Sequence, residues 1–138
     1  MLMLYAKDWH ASVLIIGPNR TTVLIHDETK PAPRLWKFPG GKKEPFEDNP
    51  FLSVIRETKE ETGLVLDPKR IIFVGGQERE RHTKYFFITT IDSFDGLLKK
   101  SKEREITAIF NIHELDKMVD FHPTYYSFYL EAKTAGLV

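Results

Sequence analysis

Residues 49–63 constrain this chain more than any other stretch. Asn49 precedes Pro50, and thirteen residues later Gly63 follows Thr62. Asparagine caps a helix start, proline at the first helical position gives up an N–H that has no partner there, and glycine takes the left-handed conformation that closes a helix. Residues 50–62 are therefore predicted to be a helix. At 100° per residue, Phe51, Val54, Ile55, Thr58 and Thr62 share one face, and Glu57, Glu60 and Glu61 stand at i, i+3 and i+4 on the next. Such a helix buries one side against a layer and presents three carboxylates beside it.

Like charges at i,i+4 repel, so three clustered carboxylates call for a counter-ion. Hard divalent cations such as Mg²⁺ favour carboxylate oxygens and keep coordinated water, and phosphate oxygens can complete their shell. The bland alternative is a solvated helix laced with Glu–Lys pairs, which would be favoured for an arbitrary Glu-rich helix. The neighbours reverse that preference. Arg56 precedes the first acid and can clamp another carboxylate, with Glu47 the candidate partner. Phe38-Pro39-Gly40-Gly41 reads as a turn that lets backbone come close to a metal or phosphate.

The remaining chain alternates strand and helix signals. His10–Gly17 and Thr22–Ile25 read as strands joined in a hairpin, and Leu35–Phe38 as a short extended piece. Further strands are expected at 70–74 and 84–91, separated by Gly75-Gly76, and at 105–112. A short helix is expected near Glu114-Leu115, and Pro123 opens a last helix in which Tyr126, Tyr129, Leu130 and Lys133 fall at helical spacing. This mixture, in one 138-residue domain, implies an α/β fold with a mixed sheet covered by helices.

Zero formal net charge gives no support for nucleic-acid binding through a broad basic surface. The charges are sorted locally, however. Lys30, Arg34, Lys37, Lys42 and Lys43 surround the glycine turn while acids crowd 57–61, a pattern suited to a polyanion that arrives with its own metal. The chain has no cysteine, which excludes disulfides, thiolate zinc sites and cysteine nucleophiles. The apolar start, Met1–Ala6, is too short for a signal sequence, and no apolar run reaches the ~20 residues that span a bilayer. A cytoplasmic protein with no membrane partner is expected. The five histidines show no ligand spacing and read as structural or surface residues, and Arg79–His82 as a solvated hairpin tip. Tyr125, Tyr126, Phe128 and Tyr129 are expected to pack the last helix or to support a homodimer contact.

Residues 41–64 resemble the Nudix hydrolase signature, G-x5-E-x7-R-E-U-x-E-E-x-G-U, where U is bulky aliphatic. Gly41 and Glu47 match its first half, and Arg56, Glu57, Glu60, Glu61, Gly63 and Leu64 its second. At ~6% usage per fixed position, the five in R-E-x-x-E-E-x-G recur by chance in roughly one such chain in ten thousand. Three departures stand out: eight residues separate Glu47 from Arg56 rather than seven, Thr58 replaces the aliphatic residue, and Phe46 stands where glycine is common.

The resemblance implies a Nudix-type α/β/α sandwich that hydrolyses a diphosphate linkage in a nucleoside diphosphate derivative, with nucleoside triphosphates the favoured small-molecule substrates. It implies Mg²⁺, with Mn²⁺ as an alternative, held by Glu57, Glu60, Glu61 and the carbonyl of Gly40. Arg56 belongs to the same catalytic set. Glu60, Glu61, Glu103 and Glu105 are candidate general bases, with Glu105 chosen. Phe38, Gly41, Lys42 and Arg34 are the expected substrate contacts. The competing reading is a regulatory domain on the same fold that binds nucleotides without turning them over.

Overall fold

Why the two strongest apolar runs do not pair with each other explains the architecture. The computed structural model describes residues 4–138, so the apolar start at Met1–Met3 lies outside the described residues. Strand β1 (Trp9–Ile16) is buried on both faces, as expected for a continuous apolar run in a central strand. It runs antiparallel to β3 (Gly40–Lys42) on one edge and parallel to β5 (Thr83–Thr90) on the other. Strand β4 (Ile72–Glu78) pairs antiparallel with β5, which gives a mixed sheet in the order β3-β1-β5-β4.

Strand β2 (Thr21–Asp27) pairs instead with β6 (Glu105–Asn111) in a second, two-stranded antiparallel sheet. The hairpin expected of residues 10–25 closes only at Gly17↔Thr21. Beyond that bridge β1 pairs with β5 along its whole length and with β3 over His10–Ser12, while β2 pairs with β6 in the other sheet.

Three further expectations are corrected. Gly40-Gly41 is strand β3 and not a turn. Gly75-Gly76 lies inside β4 and does not separate strands; the register shifts between Phe73 and Gly75, a bulge that glycine accommodates. The expected start of that strand at Arg70 is instead the end of a 3₁₀ turn, Pro68–Arg70.

A helix covers each face of the four-stranded sheet. Helix α1 (Pro50–Thr62) begins at Asn49, whose side chain accepts from Leu52 N–H, and ends at Gly63 with φ 79°. Val54 of α1 packs with Trp9, Ala11, Val13, Ile15 and Phe87 in one core. Helix α2 (Pro123–Thr134) sends Tyr125, Phe128 and Tyr129 into the other, where they meet Leu14, Phe86 and Ile88. Alternate residues of β1 and β5 thus feed opposite cores, as the two-residue period of a strand requires. The aromatic residues of α2 fill core, as expected from their helical spacing. The α/β/α sandwich is the fold.

Thr58 occupies the buried face of α1 where an aliphatic residue is usual, and its hydroxyl has no hydrogen-bond partner. A buried hydroxyl without a partner costs about 1–3 kcal/mol. Thr58→Val is therefore expected to raise Tm by roughly 3–5 °C at unchanged secondary structure; a drop in thermal melting would contradict this account.

Candidate active site

The acidic face of α1 lies directly against β3, and two glycines set the packing there: Gly41 lets α1 approach β3, and Gly40 lets β3 approach β1. A methyl group on Gly41 would stand 2.6 Å from Glu57 Cδ, and one on Gly40 would stand 2.1 Å from the Ala11 carbonyl oxygen. Gly40 also has φ 152°, a conformation side chains rarely adopt. Its N–H donates to Glu61 Oε1 at 2.8 Å, which ties the last turn of the helix to the strand.

Arg56 organises the other acids. Its Nε donates to Glu47 Oε2 at 2.9 Å and its Nη2 to Glu47 Oε1 at 3.1 Å, the two-pronged pairing expected from the sequence. The extra residue between Glu47 and Arg56 is thus absorbed before the Asn49 cap without displacing Glu47. Nη1 of Arg56 bridges Glu57 Oε1 at 2.9 Å and Glu60 Oε2 at 3.2 Å, and Nη2 also reaches the Lys42 carbonyl at 2.9 Å. Glu47 is buried, and although burial opposes ionisation, Arg56, the Glu44 N–H and Ser53 together hold its carboxyl below the usual range. Glu47 is a structural anchor for Arg56.

Glu61 has a different environment. It is 5% exposed, accepts from the Gly40 N–H, and among the described residues no salt bridge reaches it. Burial pushes its carboxyl well above the usual range, the Gly40 N–H and Lys37 oppose the rise, and Glu57 and Glu105 add to it. Glu57 is raised too, by burial first, with Arg56 opposing and Glu60 and Glu103 contributing.

Glu105, at the start of β6, is buried, and Ser101 Oγ accepts its N–H at 3.0 Å while lying 3.3 Å from Oε2. Its carboxyl is raised by burial and then by Glu103. The fold therefore brings Glu105 into the electrostatic range of Glu61, and it is not a strand-edge surface charge.

These donors fit a divalent cation by their chemistry. Hard carboxylate oxygens from Glu57 and Glu61, half-buried and buried, lie beside a glycine strand, and the single guanidinium nearby is shared among Glu47, Glu57 and Glu60. The three carboxylates expected on one face do not form a ready cage: among the described residues no three acidic or histidine side chains converge as one. Glu60 is exposed and turned toward Arg56. A metal would take Glu57 and Glu60 over from Nη1.

Beside this acidic face opens a cleft of about 370 Å³. Lys30, Arg34 and Lys37 of the segment after β2 line it with Lys84 of β5, and Asp27 lies at its edge. Lys37 also acts on Glu61 and Glu105, which joins the cleft to the acids. His10 and His122 contribute to its wall, although no ligand spacing marked them in the sequence.

Of the expected substrate contacts, only Arg34 lies in this cleft. Lys42 is exposed on the outer edge of β3, offering its carbonyl to Arg56. Phe38 needs a correction. It is 1% exposed and packs edge-on against Phe121 and Tyr125, so it has no free face for a base.

A family model for the NUDIX domain matches residues 7–131. The chain belongs to the Nudix family. Nudix hydrolases cleave phosphoric anhydrides and generally use divalent metal ions.

Solved Nudix structures share the fold. A MutT protein from Methanosarcina mazei superposes with TM-score 0.71 at 20% identity, covering 94% of each chain. The NUDIX domain of Shewanella oneidensis NrtR, complexed with ADP ribose, gives 0.74 at 13% identity over 96% of this chain and 90% of that one. A MutT/nudix family protein from Enterococcus faecalis gives 0.65 at 24% identity; the match covers 80% of this Nudix chain but 46% of that protein.

Two outcomes follow from the geometry. Gly40→Ala forces a methyl onto the Ala11 carbonyl and strains the backbone, at a cost of about 3 kcal/mol and roughly 10 °C in Tm, so wild-type melting would refute the tight approach of β3 to β1. His10, whose pKa is lowered to about 4 by burial and then by His82 and Lys84, is neutral in the folded chain while the unfolded chain protonates it near 6.5. Its contribution to stability is complete above pH 6.5 and is lost as pH falls toward 4. His10→Gln is expected to flatten that part of the stability profile in urea melts between pH 7 and 4.

Proposed function

We propose that the protein hydrolyses the diphosphate linkage of a nucleoside diphosphate derivative, with a divalent ion, Mg²⁺ or Mn²⁺, held by Glu57, Glu60, Glu61 and the Gly40 carbonyl. The observation that supports this reading most is the buried Glu61 carboxylate, linked to the Gly40 N–H with no cationic partner of its own among the described residues. A buried carboxylate is costly unless charge or hydrogen bonds compensate it. When bound, a divalent ion would neutralise anhydride oxygens and make water easier to deprotonate.

The chain's own residues supply the rest. Arg56, fixed by Glu47, orients Glu57 and Glu60. Glu105, with its raised carboxyl, is the proposed base: it takes a proton from water as the oxygen bonds to phosphorus and the bridging P–O bond breaks toward the departing phosphate. Lys37 acts electrostatically on both Glu61 and Glu105 and is the proposed partner for the negative charge on the departing phosphate. ADP ribose on the NrtR domain is in keeping with a nucleotide-derived ligand for this fold.

The test is turnover of a nucleotide panel with Mg²⁺ by wild type, Glu57→Gln and Glu61→Gln. Each substitution is expected to lower kcat by 10²-fold or more, about 3 kcal/mol or more of transition-state stabilisation, with the circular dichroism spectrum unchanged. Near-wild-type rates in both variants would remove the mechanism. Tight nucleotide binding by wild type with no phosphate release would favour the regulatory-domain reading.

A further inference from the structure

Four cations and one carboxylate line the cleft beside the acidic face; Lys30, Arg34 and Lys37 come from the segment after β2 and Lys84 from β5. None of Lys30, Arg34, Lys37 and Lys84 has a carboxylate oxygen within 4.0 Å among the described residues. Asp27 does not neutralise them by contact, because its Oδ1 accepts from the Thr29 N–H at 2.8 Å and from the Thr29 hydroxyl. Unpaired like charges gathered in a concave site repel one another, and an anion relieves that repulsion.

The donors are also partly ordered. Arg34 Nε donates to the Lys30 carbonyl at 2.9 Å, which fixes the guanidinium and leaves Nη1 and Nη2 for a ligand. Lys84 Nζ lies 3.5 Å from the Tyr125 hydroxyl and 5.1 Å from the centre of its ring. His122 Nδ1 accepts from the Thr124 N–H at 3.1 Å, so its neutral ring carries its proton on Nε2 as a further donor.

The cleft offers little to a nucleobase. Phe38 is buried in core, Tyr125 is 6% exposed with Lys84 over its ring, and Trp36 packs edge-on with His26 and Phe110. His10 stacks on His82 at 4.2 Å, which occupies one of its faces. Stacking needs a free aromatic face, and this wall presents charged ends instead.

We propose that this cleft is an anion subsite that takes phosphate beyond the linkage being cleaved, so that the preferred substrates are nucleotides carrying additional phosphate and not nucleoside diphosphates joined to a neutral sugar. The proposal rests on the hydrolase reading for its substrate, and on the cleft alone for its ligand chemistry. The strands connect the two, since Asp27 and His10 line the cleft while Asp27 pairs with Glu105 across β2 and β6 and His10 pairs with Lys42 across β1 and β3. The potential in the cleft is consistent with this: His10 and His122 are both lowered, by burial first and by Lys84 and Lys37 among the charges, with His82 also acting on His10, Arg79 on His122, and Asp8 opposing the shift at His10.

The experiment separates the two layers. Inorganic tripolyphosphate is titrated into the full chain in EDTA, where no metal can bridge it to the acids, and affinity is read by calorimetry at 50 and 250 mM salt. Wild type is expected to bind, Arg34→Met and Lys84→Met to bind roughly tenfold more weakly, and Lys117→Met, a charge-matched control at an exposed position away from the cleft, to match wild type. Affinity is expected to fall as salt rises. A second arm compares kcat/KM for a nucleoside triphosphate and a dinucleoside tetraphosphate with that for a nucleoside diphosphate glucose, using Mg²⁺-loaded enzyme. Arg34→Met is expected to lower the ratio of either to the sugar nucleotide roughly tenfold, and the better of the two substrates shows whether a terminal or a bridging phosphate is held.

Arg34, on an exposed loop, is unlinked to folding, so its variant stands if Lys84→Met does not fold. Tripolyphosphate affinity that is the same in wild type and Arg34→Met, or absent in wild type, would overturn the subsite. Binding as expected with no turnover of any nucleotide would instead overturn the hydrolase reading and leave the subsite standing.

Discussion

The contact between helix α1 and the glycine strand β3 is the constraint on which the rest depends. Glu57 reaches Gly41 because that glycine has no side chain to hold the helix away, and Glu61 accepts from the Gly40 N–H beside it. That approach sets the depth at which the acids sit, and so their burial and the direction in which their pKa values move. It also brings Arg56 under the Lys42 carbonyl, where one guanidinium can order Glu47, Glu57 and Glu60 together. A helix with the same acids on a bulkier strand would carry them in solvent, where the same charges would be ordinary surface.

The charges divide across the molecule in a way that net charge conceals. Acids from α1 and β6 feel the charge of Lys37, which also lines the cleft with cations from the 28–37 segment and β5. A ligand that spans this boundary meets metal-binding oxygens at one end and guanidinium and ammonium groups at the other. The Nudix fold supplies the boundary because β2 and β6 form their own sheet, which sets the 28–37 segment and Glu105 across from α1.

Features decided within a few residues could be read from the chain directly. The Asn49 cap, the Pro50 start, the Gly63 stop and the 100° step that groups Glu57, Glu60 and Glu61 are local, and α1 follows them residue for residue. The pairing of Arg56 with Glu47 was also legible, since Glu47 lies in the loop that leads into the helix carrying Arg56. Pairing between strands was not. The apolar run of β1 signals burial on both faces but says nothing about which strands lie at its edges, and the glycines at 40–41 read as a turn when their partner, β1, is thirty residues away. Phe38 shows the same limit, because an aromatic residue beside a glycine pair can face a ligand or a core, and only the positions of Phe121 and Tyr125 settle which.

By itself, the sequence determined the acidic helix, its caps, the family and the kind of chemistry three carboxylates and an arginine can serve, since all of these depend on spacing along one segment. The tertiary structure alone decided that Glu105 is buried near Glu61, that Glu60 is turned toward Arg56, and that His10, Arg34, Lys84 and His122 share a cleft. Those groups are separated by as many as 112 residues, from His10 to His122, and burial and Coulomb interaction depend on distance in space, which no local spacing encodes.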